Sequence, residues 1–121
     1  MRKGDHVMII KSIEDAKPIS YGEGIQKRVV IGPKEGAQNF VMRVFDVAPG
    51  KTSPYHSHDW EHEVLILNGK AAVIDADGTE APANPMDTVF IPPNEKHCLK
   101  NAGEDILRFV CLVPVEGEDT K

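Results

Sequence analysis

Apolar residues along this chain fall in short runs, each closed by a cluster of Gly, Pro, Asn or Asp, and the spacing of a long amphipathic helix does not occur. The runs predict strands at "VMII" (7–10), "KRVVIG" (27–32), "NFVMRVFDV" (39–47), "HEVLILNG" (62–69), "KAAVIDADG" (70–78), "DTVFIPP" (87–93), "KHCLKN" (96–101) and "ILRFVCLVP" (106–114). "KPISYGEG" (17–24) reads as a loop, and "GPKEG" and "NAGED" read as turns. Asn68-Gly69 is the strongest two-residue hairpin signal in the chain. "SIEDAK" (12–17) has room for one helical turn at most. Many short strands with tight turns predict an all-β sandwich, barrel or jelly roll. The run 39–47 is apolar on both parities, so its core face cannot be assigned from pattern alone.

Composition narrows the class. A chain of 121 residues suits one domain, and 40% hydrophobic residues suit a folded globule. The net charge of −5 and the absence of a Lys/Arg block argue against a nucleic-acid or anionic-membrane partner. No run approaches the ~18 apolar residues of a membrane span, and "VMII" is too short for a signal-peptide core, so a cytoplasmic location is expected. Cys98 and Cys111 form neither a disulfide framework nor a Cys-x-x-Cys pair.

The chemistry concentrates in "YHSHDWEHE", residues 55–63. In an extended segment alternate side chains share a face, so His56 and His58 project together, and His62 keeps their parity if the intervening residues stay extended. Imidazoles so arranged can converge on one ion at ~2.0–2.2 Å. The competing reading is a hydrogen-bonded surface cluster of histidines and acids.

"PGKTSPYHSHDWEHEVLILNG" resembles the first motif of the cupin superfamily: Gly, five residues, His-x-His, three or four residues, Glu, six residues, Gly. Gly50, His56, His58 and Gly69 fall on it. "MDTVFIPPNEKHCLKN" resembles the second motif through Pro92, His97 and Asn101, with Met86 and Asn94 where that motif has glycines. Asn commonly takes the left-handed conformation a glycine provides; Met does not. The motif's glutamate falls on His62, or on Glu63 under the looser spacing, and parity sends Glu63 to the other face. His56, His58, His62 and His97 are therefore the expected ligands. This set, with "KRVVIG", "NFVMRVF" and "FVCLVP", is similar to the small single-domain manganese-binding cupins with four histidine ligands.

The resemblance implies a double-stranded β-helix, the cupin jelly-roll barrel, holding one divalent metal per chain. Mn or Fe is favoured, and Zn or Ni can be what is bound. It also implies a homodimer: residues 1–35 form an arm with strands packed across the interface, 36–114 the barrel, and 115–121 a polar tail. Four neutral imidazoles leave the ion's full +2 charge, so the site favours the divalent state and binds anions at its open positions. No Ser/His/Asp set, phosphate-cradling loop or acid pair is present, so no catalytic side chain is assigned and any catalysis is metal-centred. The leading expectation is an oxygenase-type oxidoreductase acting on a small organic substrate. The alternatives are a non-catalytic metal or small-molecule binding or sensing module, and a lyase or isomerase acting on an oxyacid.

Around the ligands, Tyr55, Ile66, Phe90, Leu99, Phe109 and Cys111 are the candidate pocket residues, most of them core positions first. Cys111 shares parity with Leu107 and Phe109 and is expected inside, while Cys98 is expected to face outward. Trp60 reads as rim packing, Glu61 and Glu63 as outer-face carboxylates, and His6 as an uninvolved surface residue.

Overall fold

A computed structural model describes residues 8–118. His6 and Val7 lie outside the described residues. Among the described residues nine strands form two antiparallel sheets. One has the order β1 (Ile19–Gly22), β2 (Ile25–Ile31), β3 (Phe40–Val47), β9 (Leu107–Pro114), β4 (His62–Asn68), β7 (Thr88–Ile91). The other has the order β6 (Glu80–Ala83), β5 (Ala71–Ile74), β8 (Cys98–Asn101). The expected all-β architecture is what the chain adopts. Its helical content among the described residues is three short 3-10 turns, one of them Ile13–Asp15 within "SIEDAK". None is long and apolar enough to cross a membrane.

The core follows from strand periodicity. β9 alternates buried and half-buried residues along its whole length, sending Leu107, Phe109, Cys111 and Val113 inward. β3 sends in Val41, Phe45 and Val47, β4 sends in Val64 and Ile66, and the small sheet contributes Ala71, Ala83 and Leu99 to the same cluster. Why β3 is apolar on both parities is now plain. Val44 faces the other way and packs with Ala16 and Val30, beneath Ile13 of the 3-10 turn. Asn101, 2% exposed, ties the sheets together: its Nδ2 donates to the Val47 and Asp105 carbonyls, both at 2.8 Å, and its Oδ1 accepts from Gly103 N–H.

Four elements differ from the sequence expectation. Residues 8–10 of "VMII" are not a strand, and Met8 and Ile10 are almost fully exposed. Residues 19–22 of the supposed loop form β1, because Ile19 and Ser20 find partners in Lys27 and Gln26. β6, at the sheet edge, was hidden by Pro82, which an edge position tolerates. Asn68-Gly69 does not close a hairpin: β4 pairs with β7 and β9, and β5 pairs with β6 and β8. The turn instead carries the chain from one sheet to the other. Gly69 adopts φ +86°, and a Cβ there would stand 2.6 Å from the Ile106 carbonyl oxygen.

Candidate metal centre

Three separate segments bring four imidazoles to one wall of the inter-sheet cavity. His56 lies on the connection between β3 and β4, which is not a continuous strand. It is held instead by one isolated bridge, in which His56 N–H donates to the His97 carbonyl at 3.1 Å and His97 N–H donates to the His56 carbonyl at 2.9 Å. The His58 carbonyl accepts from Asn94 N–H. A bend at Asp59–Trp60 then brings the chain to His62, the first residue of β4.

The rings stand close together. Their centres are 4.3 Å apart for His56–His58, 5.2 Å for His56–His97, 4.7 Å for His62–His97, 5.3 Å for His58–His62 and 6.4 Å for His58–His97. Ligand bonds of ~2.1 Å place imidazole centres about 3.0–3.3 Å from a shared ion, hence about 4.2–6.5 Å from one another for angles between 90° and 180°. The observed separations fit. Among the described residues no three His, Cys, Asp or Glu side chains stand in a ready coordination geometry, so the rings converge without their nitrogens already outlining an ion.

Protonation suits the same role. Burial, reinforced by the neighbouring imidazoles and Arg43, lowers the pKa of His56 to about 4 and that of His62 to about 3, and it lowers that of His58 as well. All three are therefore neutral lone-pair donors at physiological pH. His97 Nδ1 lies 2.8 Å from the Glu95 carbonyl oxygen, which can only accept, so the proton sits on Nδ1 and Nε2 is left free. His62 Nδ1 is buried without a hydrogen-bond partner among the described residues, the kind of orphaned atom a bound group satisfies. The donor set thus fits a divalent ion that accepts imidazole nitrogen.

The cavity beside the rings measures about 470 Å³. Of the expected pocket residues, Leu99, Phe109 and Cys111 line it, and burial pushes the Cys111 thiol pKa up. Tyr55, Ile66 and Phe90 do not line it. Tyr55 is 40% exposed; its hydroxyl donates to the Asp75 carbonyl, and Lys96 sits over its ring. Ile66 is wholly buried in the core. Phe90 is 60% exposed because the register sets His62 opposite Ile91, which leaves Phe90 opposite Glu63 on the outer face. Glu63 itself is exposed and outside the cavity. Trp60 does more than pack at a rim: its ring stacks on His58 at 4.6 Å. Cys98 stands outside the inner core cluster but is buried rather than solvent-facing.

Four charged residues of the cavity escaped the sequence reading, three of them buried and the fourth, Glu116, exposed at its edge. Lys27 and Arg43 line it from β2 and β3, and Glu118 lines it from the segment after β9, each less than a tenth exposed. A signal for Arg43 was present: it breaks the apolar parity set by Val41, Phe45 and Val47. Glu118 had none, lying in a polar stretch expected to be a tail.

Comparison with known proteins gives the family and the fold. The chain is 26% identical over 115 residues to auxin-binding protein 1 of Arabidopsis thaliana, covering 87% of this chain and 58% of that protein. It is 33% identical over 75 residues to the 1-methylthio-D-xylulose 5-phosphate methylsulfurylase of Rhodospirillum rubrum, covering 62% and 47%. It thus spans about half the length of these curated relatives. Among solved structures, the polyketide cyclase RemF from Streptomyces resistomycificus superimposes with a TM-score of 0.82 at 28% identity, over 90% of this chain and 80% of that one. The family model described as Cupin domain matches residues 43–113, more than half of the sequence, and the chain belongs to the cupin family.

Proposed function

We propose that this cupin binds one divalent metal through His56, His58, His62 and His97 and acts on a small organic substrate held in the adjoining cavity. The observation that carries the reading is the convergence of four imidazoles, with ring centres 4.3–6.4 Å apart, on one wall of a cavity about 470 Å³ in volume. A bound Mn or Fe would supply Lewis-acid and redox chemistry, and oxygenase-type turnover is the leading expectation. The chain's own contribution is to keep His56, His58 and His62 neutral by burial, to orient His97 through the Glu95 carbonyl, and to wall the substrate with Phe45, Leu99 and Phe109. A second reading, isomerase, cyclase or lyase chemistry, is favoured by further ionisable groups in the cavity, among them Lys27 and Glu118, which could exchange protons with a substrate. The name of the similar polyketide cyclase points the same way.

Metal analysis of purified protein tests the ligand set. Wild type should carry about one divalent ion per chain, and His58→Ala and His62→Ala should lose it while keeping the β-sheet circular dichroism, because the core is apolar. Glu63→Gln should keep it. Retention of metal by His62→Ala together with its loss from Glu63→Gln would move the ligand to Glu63. Incubation of Mn- and Fe-loaded protein with small metabolites, aerobically and anaerobically, then separates the chemistries. Oxygen uptake supports the oxygenase, product without oxygen uptake supports the second reading, and thermal stabilisation without product supports a binding module.

A further inference from the structure

Two cations on the cavity wall have an unusual counter-ion. The β2–β3 register sets Lys27 opposite Phe45 and Val29 opposite Arg43, so Lys27 and Arg43 are diagonal neighbours on the inner face. Burying two charged groups is costly unless each is well paired. The partner does not come from the sheets. It is Glu118, just after the 3-10 turn Val115–Gly117, with Oε2 2.7 Å from Lys27 Nζ and Oε1 3.4 Å from Arg43 Nη1. One carboxylate thus serves two cations.

Arg43 is poorly satisfied. Its contact with Glu118 is single and long, not a two-pronged fork. Among the described residues its other donors reach only the Cys111 carbonyl at 3.5 Å and the Cys111 Sγ at 3.0 Å, and sulfur is a weak acceptor. The segment bearing Glu118 is a single 3-10 turn whose Val115 packs against the core. Beyond the two ion pairs, Val115 N–H donates to the Asn39 carbonyl, and Gly117 lies so close to Trp60 that a Cβ would stand 2.7 Å from its Nε1. This short turn and the four imidazoles share one cavity.

We infer that Lys27 and Arg43 form a carboxylate-binding subsite, that Glu118 is the chain's own occupant of it, and that the ligand of this cavity is a small organic acid whose carboxylate takes the place of the Glu118 carboxylate. This deepens the proposed function and rests on its reading of the cavity as the ligand site. An internal competitor lowers the apparent affinity for an external acid by the factor that favours the closed form. Removing the Glu118 charge should therefore tighten binding, where removing an ordinary structural ion pair would not.

The test titrates malonate, succinate and benzoate, with malonamide, succinamide, benzamide and methyl phosphate as comparisons, into metal-loaded and chelator-treated full-length protein. Calorimetry and the emission of Trp60, the chain's one tryptophan, are read together. At least one acid should bind while its amide does not, and binding should shift Trp60 emission as Gly117 leaves its face. Glu118→Gln should bind that acid about tenfold more tightly, and Arg43→Met should bind it at least tenfold more weakly. If Arg43→Met does not fold, Lys27→Met and the wild-type emission change decide. Equal binding of acids and amides, unchanged or weaker binding by Glu118→Gln, or preference for methyl phosphate over every acid would overturn the subsite. Metal content of the same samples keeps the two readings apart. Protein that holds metal but ignores acids sinks this inference alone, and protein that binds acids but takes up no metal sinks the metal site alone.

Discussion

Met86 should be improved by replacement with glycine. It stands where the second cupin motif has glycine and adopts φ +77°, in the left-handed region. The conformation is pinned: Met86 N–H donates to the Ile66 carbonyl at 2.9 Å, and Ile66 N–H donates to the Asp87 carbonyl at 3.0 Å. A side-chain-bearing residue pays about 1–2 kcal/mol in that region, and glycine gives back about 0.5–1 kcal/mol through its freer unfolded chain. Met86 is 78% exposed, so truncation loses little packing. The useful comparison is Met86→Ala, which loses the same packing but keeps the Cβ. Met86→Gly should exceed it by about 0.5–1 kcal/mol, a few degrees in Tm for a domain of this size. Urea unfolding of metal-free protein, followed by Trp60 fluorescence with m-values compared, measures the gap. A Met86→Gly variant no more stable than Met86→Ala would refute backbone strain at this turn. Asn94, at φ +70° but of a residue type that tolerates it, should show a smaller gap between glycine and alanine.

Gly69→Ala should lose at least about 2–3 kcal/mol, from left-handed strain plus a Cβ driven onto the Ile106 carbonyl oxygen and Leu107 Cα; a thermal melt within two or three degrees of wild type would contradict this. Metal-free protein should become less stable as pH falls from about 6.5 towards 4. The unfolded chain takes up protons near the ordinary histidine value, while folded His56 and His62 refuse them until about 4 and about 3. A urea midpoint that stays flat over that interval would count against neutral buried imidazoles. Asp46→Asn should destabilise by about 1.5–3 kcal/mol at neutral pH, because Asp46 accepts from Arg28 and twice from Arg108. Arg108 above all holds the Asp46 carboxyl below its usual pKa, so this contribution is present at neutral pH and fades as pH falls below about 4, and the two proteins' stabilities should converge there.

β2, β4 and β9 were legible because each buries mainly one parity, and burial writes itself as period two; β3, β5, β7 and β8 were found as short apolar runs between turn residues. β6 and the inter-sheet turn were not. Pro82 masks an edge strand, and Asn68-Gly69 has the local chemistry of a hairpin while long-range pairing with β9 decides where β4 belongs. At the site, parity placed His56, His58 and His62 together, although a bend at Asp59–Trp60, not a continuous strand, brings His62 round. His97 came from its motif, and the structure holds it to His56 through paired backbone hydrogen bonds. Phe90 was misassigned because a one-residue choice of register decides its face. Glu118 could not be found at all, since its burial depends on two cations far away in sequence.

The ladder between β3 and β9 sets Phe40 against Pro114 and Val47 against Leu107. The middle of the large sheet is thus zipped from segments far apart in sequence, so β3 and β4 keep open edges during synthesis until β9 leaves the ribosome. Chains interrupted before Leu107 would expose those edges together and should aggregate rather than persist as half-built barrels.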